Sequence, residues 1–260
     1  MSNYWDRLIK RCSTLASAQP AVAELLAFYG KLLTAQKEIY DRLTRTANWL
    51  PSGDLEKDLE TIRPLMSGLL KAVESYGPEL LANDARLLEG SCEAEIDEML
   101  LDYWVNPSGT QFFAKAFLQP YARWTAEVEG SNISAKEGAV ETRCPFCGGK
   151  PQVSFLISKE QEGGGRILMC STCLSEWTFR RVVCAGCGEE HPSKLAYFKS
   201  PDLEHLRVDT CDTCRMYIKS VDLTTLGTAI PLVDEVAGAA LDVWAKDQGY
   251  EKIELNLVGL

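Results

Sequence analysis

The sequence predicts an α+β protein made of an N-terminal α-helical bundle, two four-cysteine metal ribbons and a C-terminal helix. Three observations carry this. The first 130 residues hold one helix-periodic segment after another, the middle contains four Cys-x-x-Cys pairs among short β-prone runs, and the last forty residues return to helical spacing. The predicted divisions are a helical domain over 1–130, a linker over 131–140, ribbons over 141–182 and 183–222, and a C-terminal helix and tail over 223–260.

The helical domain is read from its periods and its stops. From Pro20, a good first-turn residue, apolar side chains recur at three- and four-residue steps through Leu25, Phe28, Tyr29, Leu32, Leu33, Gln36, Ile39, Tyr40 and Leu43. Ser52 is placed to cap a second helix, which Pro64 should kink or break and Gly77-Pro78 should stop. ELLANDARLLEG, EAEIDEMLLDYWV and GTQFFAKAFLQPYARWTAEVE extend the pattern, with Asn106-Pro107 and Pro120 as punctuation. Helices joined by short connections pack as a bundle. The polar stretch GSNISAKEG then has the composition of a linker.

Beyond it, PQVSFLI, RILMC and WTFRRVV read as short strands, and GGG at 163–165 as a hairpin tip. IPLVDEVAGAALDVWAKDQG reads as one amphipathic helix stopped at Gly249. The cysteines form an internal repeat: Cys144 and Cys147 recur as Cys184 and Cys187, and Cys170 and Cys173 as Cys211 and Cys214, at offsets of 40 and 41 residues. Gly148 and Gly188 follow the second cysteine of each copy, and Arg166-Ile167 and Arg207-Val208 also correspond.

Charge and compartment narrow the chemistry. The formal charge of −10 divides into about −6 on 1–140, about +1 on 141–220 and about −5 on 221–260. Eight bound thiolates and two divalent ions would take the middle segment to about −3. That disfavours a phosphate-binding surface, so no nucleic-acid partner is expected and a zinc-ribbon nucleic-acid-binding module stands as a second alternative function. There is no apolar run of membrane-spanning length, and MSNYWDRLIKRC lacks an apolar signal region, so the expected location is the cytoplasm, without membrane insertion. Cytoplasmic thiols are kept reduced, which favours metal ligation over disulfides.

A CxxCG turn aims two sulfurs at one metal, because glycine admits the left-handed backbone and the exposed amides can donate to thiolate. Each turn supplies half a tetrahedron. The gaps of 22 residues between Cys147 and Cys170 and 23 between Cys187 and Cys211 suit a hairpin that brings a second pair to face the first. The expected ligand sets are Cys144, Cys147, Cys170 and Cys173, and Cys184, Cys187, Cys211 and Cys214. A cross-braced pairing is the alternative, because only ten residues separate Cys173 from Cys184. All-sulfur coordination suits zinc or iron. CPFCGG is similar to the iron-holding turn of rubredoxin, so the ribbons are rubredoxin-like and an electron carrier is an alternative function. Cys12 and Cys92 are expected as small buried hydrophobes, and His191 and His205 as loop or surface residues. The chain offers no obvious catalytic set.

Taken together, CPFCGG, RILMCSTCLSEW, RRVVCAGCG and LRVDTCDTCRMYIKSV, with Glu176-Trp177, Arg180, Arg181, Tyr217 and Lys219 beside the cysteines, resemble the formate dehydrogenase accessory protein family, FdhE. AVAELLAFYGKLLTAQ and VDEVAGAALDVWAKDQGYEKIELN are similar to that family's early and terminal helices. Thr178 departs from it, standing where relatives often have histidine. The resemblance implies a non-enzymatic helper that binds the catalytic subunit of respiratory, molybdenum-dependent formate dehydrogenase and supports its assembly or activation. It also implies rubredoxin-like iron sites and self-association into a homo-oligomer. Trp177, Arg180 and Arg181 are candidate partner contacts, since aromatic and arginine side chains are common interface anchors.

Overall fold

The structure is a computed structural model that describes residues 4–46, 49–130, 141–158 and 165–260. The expected linker lies outside the described residues, as does most of the GGG tip. The chain divides into two compact units, Met1–Ser131 and Asn132–Leu260.

Among the described residues the first unit contains helices α1 (Tyr4–Ala18), α2 (Ala23–Arg45), α3 (Leu55–Ile62), α4 (Met66–Tyr76), α5 (Glu79–Glu89), α6 (Glu93–Val105) and α7 (Phe112–Glu129). The long α2 is central, packing against α1, α4 and α7. Its stripe of Leu26, Tyr29, Leu32, Leu33, Ile39 and Leu43 is buried as the helical period requires, with Leu26 rather than Leu25 in the core. Pro64 breaks the chain between α3 and α4 with a single tight turn, and α4 stops before Gly77.

Two expectations are corrected here. Ser52 does not cap α3. Asp54 occupies the cap position without a side-chain cap bond, and the Ser52 N–H donates to Asp58 Oδ2 at 2.8 Å. Pro120 does not end a helix but lies inside α7. Proline lacks the N–H that would bond the carbonyl four residues earlier, which here is that of Ala116. The buried Gln36 of α2 supplies the missing donor, its Nε2 lying 2.8 Å from Ala116 O and 3.0 Å from Gln119 Oε1.

The second unit is a mixed sheet backed by helices. Its strands are β1 (Pro151–Ile157), β2 (Gly165–Cys170), β3 (Glu176–Phe179), β4 (Leu195–Lys199), β5 (Leu206–Cys211), β6 (Met216–Asp222) and the short β7 (Glu251–Lys252), in the order β3-β2-β1-β6-β5-β4 with β7 alongside β6. Each repeat contributes one antiparallel meander, β1–β2–β3 and β4–β5–β6. The two join through a parallel pairing of β1 with β6 in the register Val153↔Lys219 to Leu156↔Asp222. The copies are therefore laid head to tail in one continuous sheet.

Helices α8 (Pro231–Ala237) and α9 (Ala239–Asp247) replace the single C-terminal helix expected from periodicity. The break falls at Gly238, where an added Cβ would stand 2.7 Å from Leu206 Cδ1 of β5, so a larger residue here would require the leucine side chain to shift. Gly249 then stops α9 with φ of 75°, in the left-handed region. Beneath these helices Lys219 and Lys252 meet Glu235 and Asp242 in a buried network, with Lys219 3.2 Å from Glu235 Oε1 and Lys252 3.2 Å from Asp242 Oδ1. Lys219 also reaches the carbonyls of Glu235 and Gly238, where the helical ladder is interrupted. Asn256 donates to both oxygens of Glu235, and the Tyr217 hydroxyl to Asp242.

Candidate metal centres

Each Cys-x-x-Cys pair occupies a tight turn at a strand end. In the first, the Gly148 N–H donates to Cys144 O and the Cys144 N–H to Gly149 O, at 2.9 and 2.8 Å. In its repeat, the Gly188 and Cys184 N–H groups donate to Cys184 O and Glu189 O at 3.0 and 2.9 Å. Gly148 and Gly188 have φ of 72° and 77°, the left-handed conformation expected of them. The other two turns end the same way on Leu174 and Arg215, with φ of 57° and 58°. A non-glycine residue there costs roughly 1–2 kcal/mol. Sequence reading missed these two positions because neither residue type advertises a left-handed turn. Arg215 is held by its Nη2 bond to Gln248 O at 2.9 Å and by stacking 4.0 Å from the centre of the Tyr250 ring.

The sulfurs converge in two sets, Cys144 with Cys147, Cys170 and Cys173, and Cys184 with Cys187, Cys211 and Cys214, all within 4.8 Å of one another in each set. The grouping is sequential rather than cross-braced. In the first set Sγ separations are 3.4 Å for Cys147 to Cys170 and to Cys173, and 3.6 Å for Cys144 to Cys173. In the second they are 3.7 Å for Cys184 to Cys214 and 3.8 Å for Cys187 to Cys211. Tetrahedral metal–sulfur bonds of ~2.3 Å place sulfurs ~3.8 Å apart, whereas a disulfide would bring them to ~2.05 Å. All of these cysteines are free thiols.

The surroundings suit anionic sulfur held by a cation. The N–H groups of Thr172 and Gly186 donate to Cys170 and Cys184 Sγ, each at 3.3 Å. A Cβ on Gly149 would lie 2.8 Å from Cys170 Sγ, so that glycine clears the space beside the first set. Burial pushes the Cys184 thiol up to about 11 and, as the largest cause, raises Cys170 as well. Thiolates packed this closely cannot all ionise without a compensating cation, and a divalent ion supplies that compensation. Each set could thus hold one metal, with zinc and iron equally suited. The first is nearly sealed, with Cys147 its least buried member, while the second presents an exposed Cys187.

The remaining candidate residues separate. Trp177 is only 4% exposed, and its Nε1 donates to Glu141 O at 2.9 Å. It packs the first ribbon, which removes it from the set of surface contacts. Arg180 and Arg181 are exposed, Arg180 in an ion pair with Glu190. Cys12 is buried as expected, but Cys92 is exposed at the start of α6, where its N–H donates to Glu95 Oε2 at 3.0 Å, correcting the expectation of burial. His191 is an exposed loop residue, whereas His205 is largely buried beside Asp234 Oδ1 at 3.0 Å. Neither belongs to a thiol set.

Comparison with known proteins agrees with this architecture. Residues 143–181 match the family described as FdhE, central domain, and residues 182–258 that described as FdhE, C-terminal domain. An FdhE homolog of Pseudomonas aeruginosa is 31% identical over 235 residues, covering 84% of this chain and 69% of its own. One from Aquifex aeolicus is 28% identical over 268 residues, covering 96% and 94%. The crystal structure of the FdhE protein from Pseudomonas aeruginosa superposes with a TM-score of 0.70 at 24% identity, covering 98% of this chain and 95% of that one. The likeness extends through the helical unit as well as both ribbons, and the chain belongs to the FdhE family.

Proposed function

We propose that the protein is a cytoplasmic maturation factor that binds the catalytic subunit of respiratory formate dehydrogenase and supports its assembly or activation. The observation that carries this reading is membership of the FdhE family across both units, in a chain whose thiols gather into two complete four-sulfur sets. Four sulfurs fill a tetrahedron, leaving no open position for a substrate, so such a site is structural rather than hydrolytic. The proposed ligands are the eight cysteines of the two sets. Their CxxC turns aim the sulfurs, the Thr172 and Gly186 amides donate to Cys170 and Cys184 Sγ, and a bound ion would lock each turn to the sheet. Arg180 and Arg181, on the segment between the ribbons, are proposed to contact the partner.

The test is affinity isolation from cells grown with formate and molybdenum, with metals measured on the same sample. Capture of the catalytic subunit is expected, with weaker capture by a variant carrying Arg180→Ala and Arg181→Ala that keeps its metal. No capture by wild type would refute the binding role, while undiminished capture and formate dehydrogenase activity with the variant would refute the arginine surface. The exposed Cys187 favours a second reading, one-electron transfer at the second site if it holds iron. Rapid redox turnover without partner capture would select it.

A further inference from the structure

Arg166 is a buried cation whose contacts lie largely outside its own repeat. It stands on β2 of the first repeat, four residues before Cys170 of the first thiol set. Its side chain is 3% exposed, and its guanidinium extends into the second repeat. Nη1 donates to Val183 O at 3.0 Å and Nη2 to Asp209 Oδ2 at 3.1 Å, while Nε donates to Ser154 Oγ at 3.2 Å. Val183 immediately precedes Cys184, and Asp209 lies on β5 two residues before Cys211. One planar fork therefore holds the chain beside both halves of the second thiol set.

Charge points the same way. Asp209 is shared, because Arg207 also meets it, with Nε 2.9 Å from Oδ1 and Nη2 donating to Oδ2 at 3.4 Å. Two guanidiniums on one carboxylate leave about one positive charge over, and a buried charge is costly unless an opposite charge offsets it. The offset is at hand. Arg166 and Cys184 line the same cavity of about 420 Å³, and four thiolates around a divalent ion carry about −2. Burial, with Arg207 adding to it, pulls the Arg166 pKa below its ordinary value, whereas Asp209 and the Cys184 sulfur push it back. Arg207, the repeat equivalent of Arg166, is taken up within its own repeat, by Asp209 and by the Tyr197 ring, whose centre is 5.0 Å from the guanidinium.

We propose that Arg166 is a positioning residue for the second metal site, holding the Cys184–Cys187 turn and the Cys211–Cys214 turn at the spacing a tetrahedral metal requires. Groups that orient metal ligands from behind typically change metal affinity by roughly 10–100-fold when removed. The fork matters as well as the charge, since a lysine ammonium is a compact point charge on a flexible stem and does not reproduce two fixed donors. The proposal goes beyond the partner-binding reading and rests only on metal occupancy of the two sets.

The test loads the full chain with cadmium, an NMR-active stand-in for zinc or iron on four thiolates, and titrates it with EDTA. Wild type should show two cadmium signals, each assigned through coupling to its own cysteine β-protons. In Arg166→Met the second-site signal should disappear at about tenfold or more lower EDTA, with the first-site signal unchanged. Arg166→Lys, which keeps the charge and the aliphatic stem but loses the fork, should release the second cadmium at an intermediate concentration, and it decides the question even where the methionine variant does not fold. Equal weakening of both sites, or weakening of the first alone, would mark a merely structural role within β2 and overturn the proposal. Unchanged retention in both variants would overturn it too, as would full retention in Arg166→Lys, which would reduce the contribution to charge alone. Absence of both signals in wild type would overturn occupancy of the thiol sets and this proposal with it. Partner capture from cells is measured separately, so failure here leaves the maturation role standing.

Discussion

Replacing Lys219 by Met should damage the second unit more than any loss of packing explains. Lys219 is fully buried together with Glu235, and Asp242 and Lys252 are at most 4% exposed, so two cations balance two carboxylates out of water. Lys219→Met leaves one cation for both acids, and breaking a buried pair in this way costs about 3–5 kcal/mol. That is a large part of the roughly 5–15 kcal/mol that holds a domain folded. The pH dependence gives a second readout. Burial pushes the Glu235 carboxyl up, but Lys219 and Lys252 outweigh it and hold the group below its ordinary value. A depressed carboxyl contributes stability that is present above its unfolded pKa of about 4.3 and lost as pH falls through the folded value. With Lys219 gone, burial dominates and the carboxyl rises, so the variant regains relative stability on acidification. The deficit should be greatest near pH 7 and shrink toward about pH 5. Hydrogen exchange of the β6 amides reports the opening free energy of this unit. Adding Glu235→Gln should recover about 2 kcal/mol, because it removes the stranded charge. A deficit under about 1 kcal/mol at pH 7, or one independent of pH, would refute this account of the network.

Cys147→Ser should release about one of two bound metals per chain and loosen the first ribbon, whereas Cys12→Ser should release none. Metal analysis of the purified proteins checks both. Replacing Cys144 and Cys170 together should empty the same single site, and loss of both metals would contradict the sequential grouping. Gly149→Ala should weaken metal retention at the first site alone, because its Cβ would press on Cys170 Sγ from 2.8 Å, and a chelator-competition titration reads this directly.

The parts legible in the sequence are those governed by near neighbours. The α2 stripe, the break at Pro64 and the Gly148 and Gly188 turns follow from periodicity, ring closure and absent Cβ atoms, and the metal sets from a repeat of spacing. What stayed hidden depends on distant partners. Pro120 reads as punctuation until Gln36 is found beside Ala116 O. Gly238 sits in an unbroken helical pattern, and the break there is seen only once Leu206 of β5 and the Lys219 ammonium are found beside it. Parallel pairing of β1 and β6 has no local signal, so the ribbons read as separate modules. Trp177 in Glu-Trp looks equally like an anchor or a core residue until its indole meets Glu141 O.

The pairing of Gln36 with the carbonyl freed by Pro120 also constrains the order in which substitutions can accumulate. A lineage acquiring proline first would pass through an orphaned buried carbonyl costing about 1–3 kcal/mol, whereas one acquiring glutamine first has an amide already engaged with Gln119. Gln36→Leu should therefore be costly in this protein and much milder when Pro120→Ala restores a helical N–H. Thermal unfolding of the helical unit in the single and double variants measures that coupling, and additive effects would refute it. The two sites form an epistatic pair in which proline is tolerated only on the background that glutamine prepared.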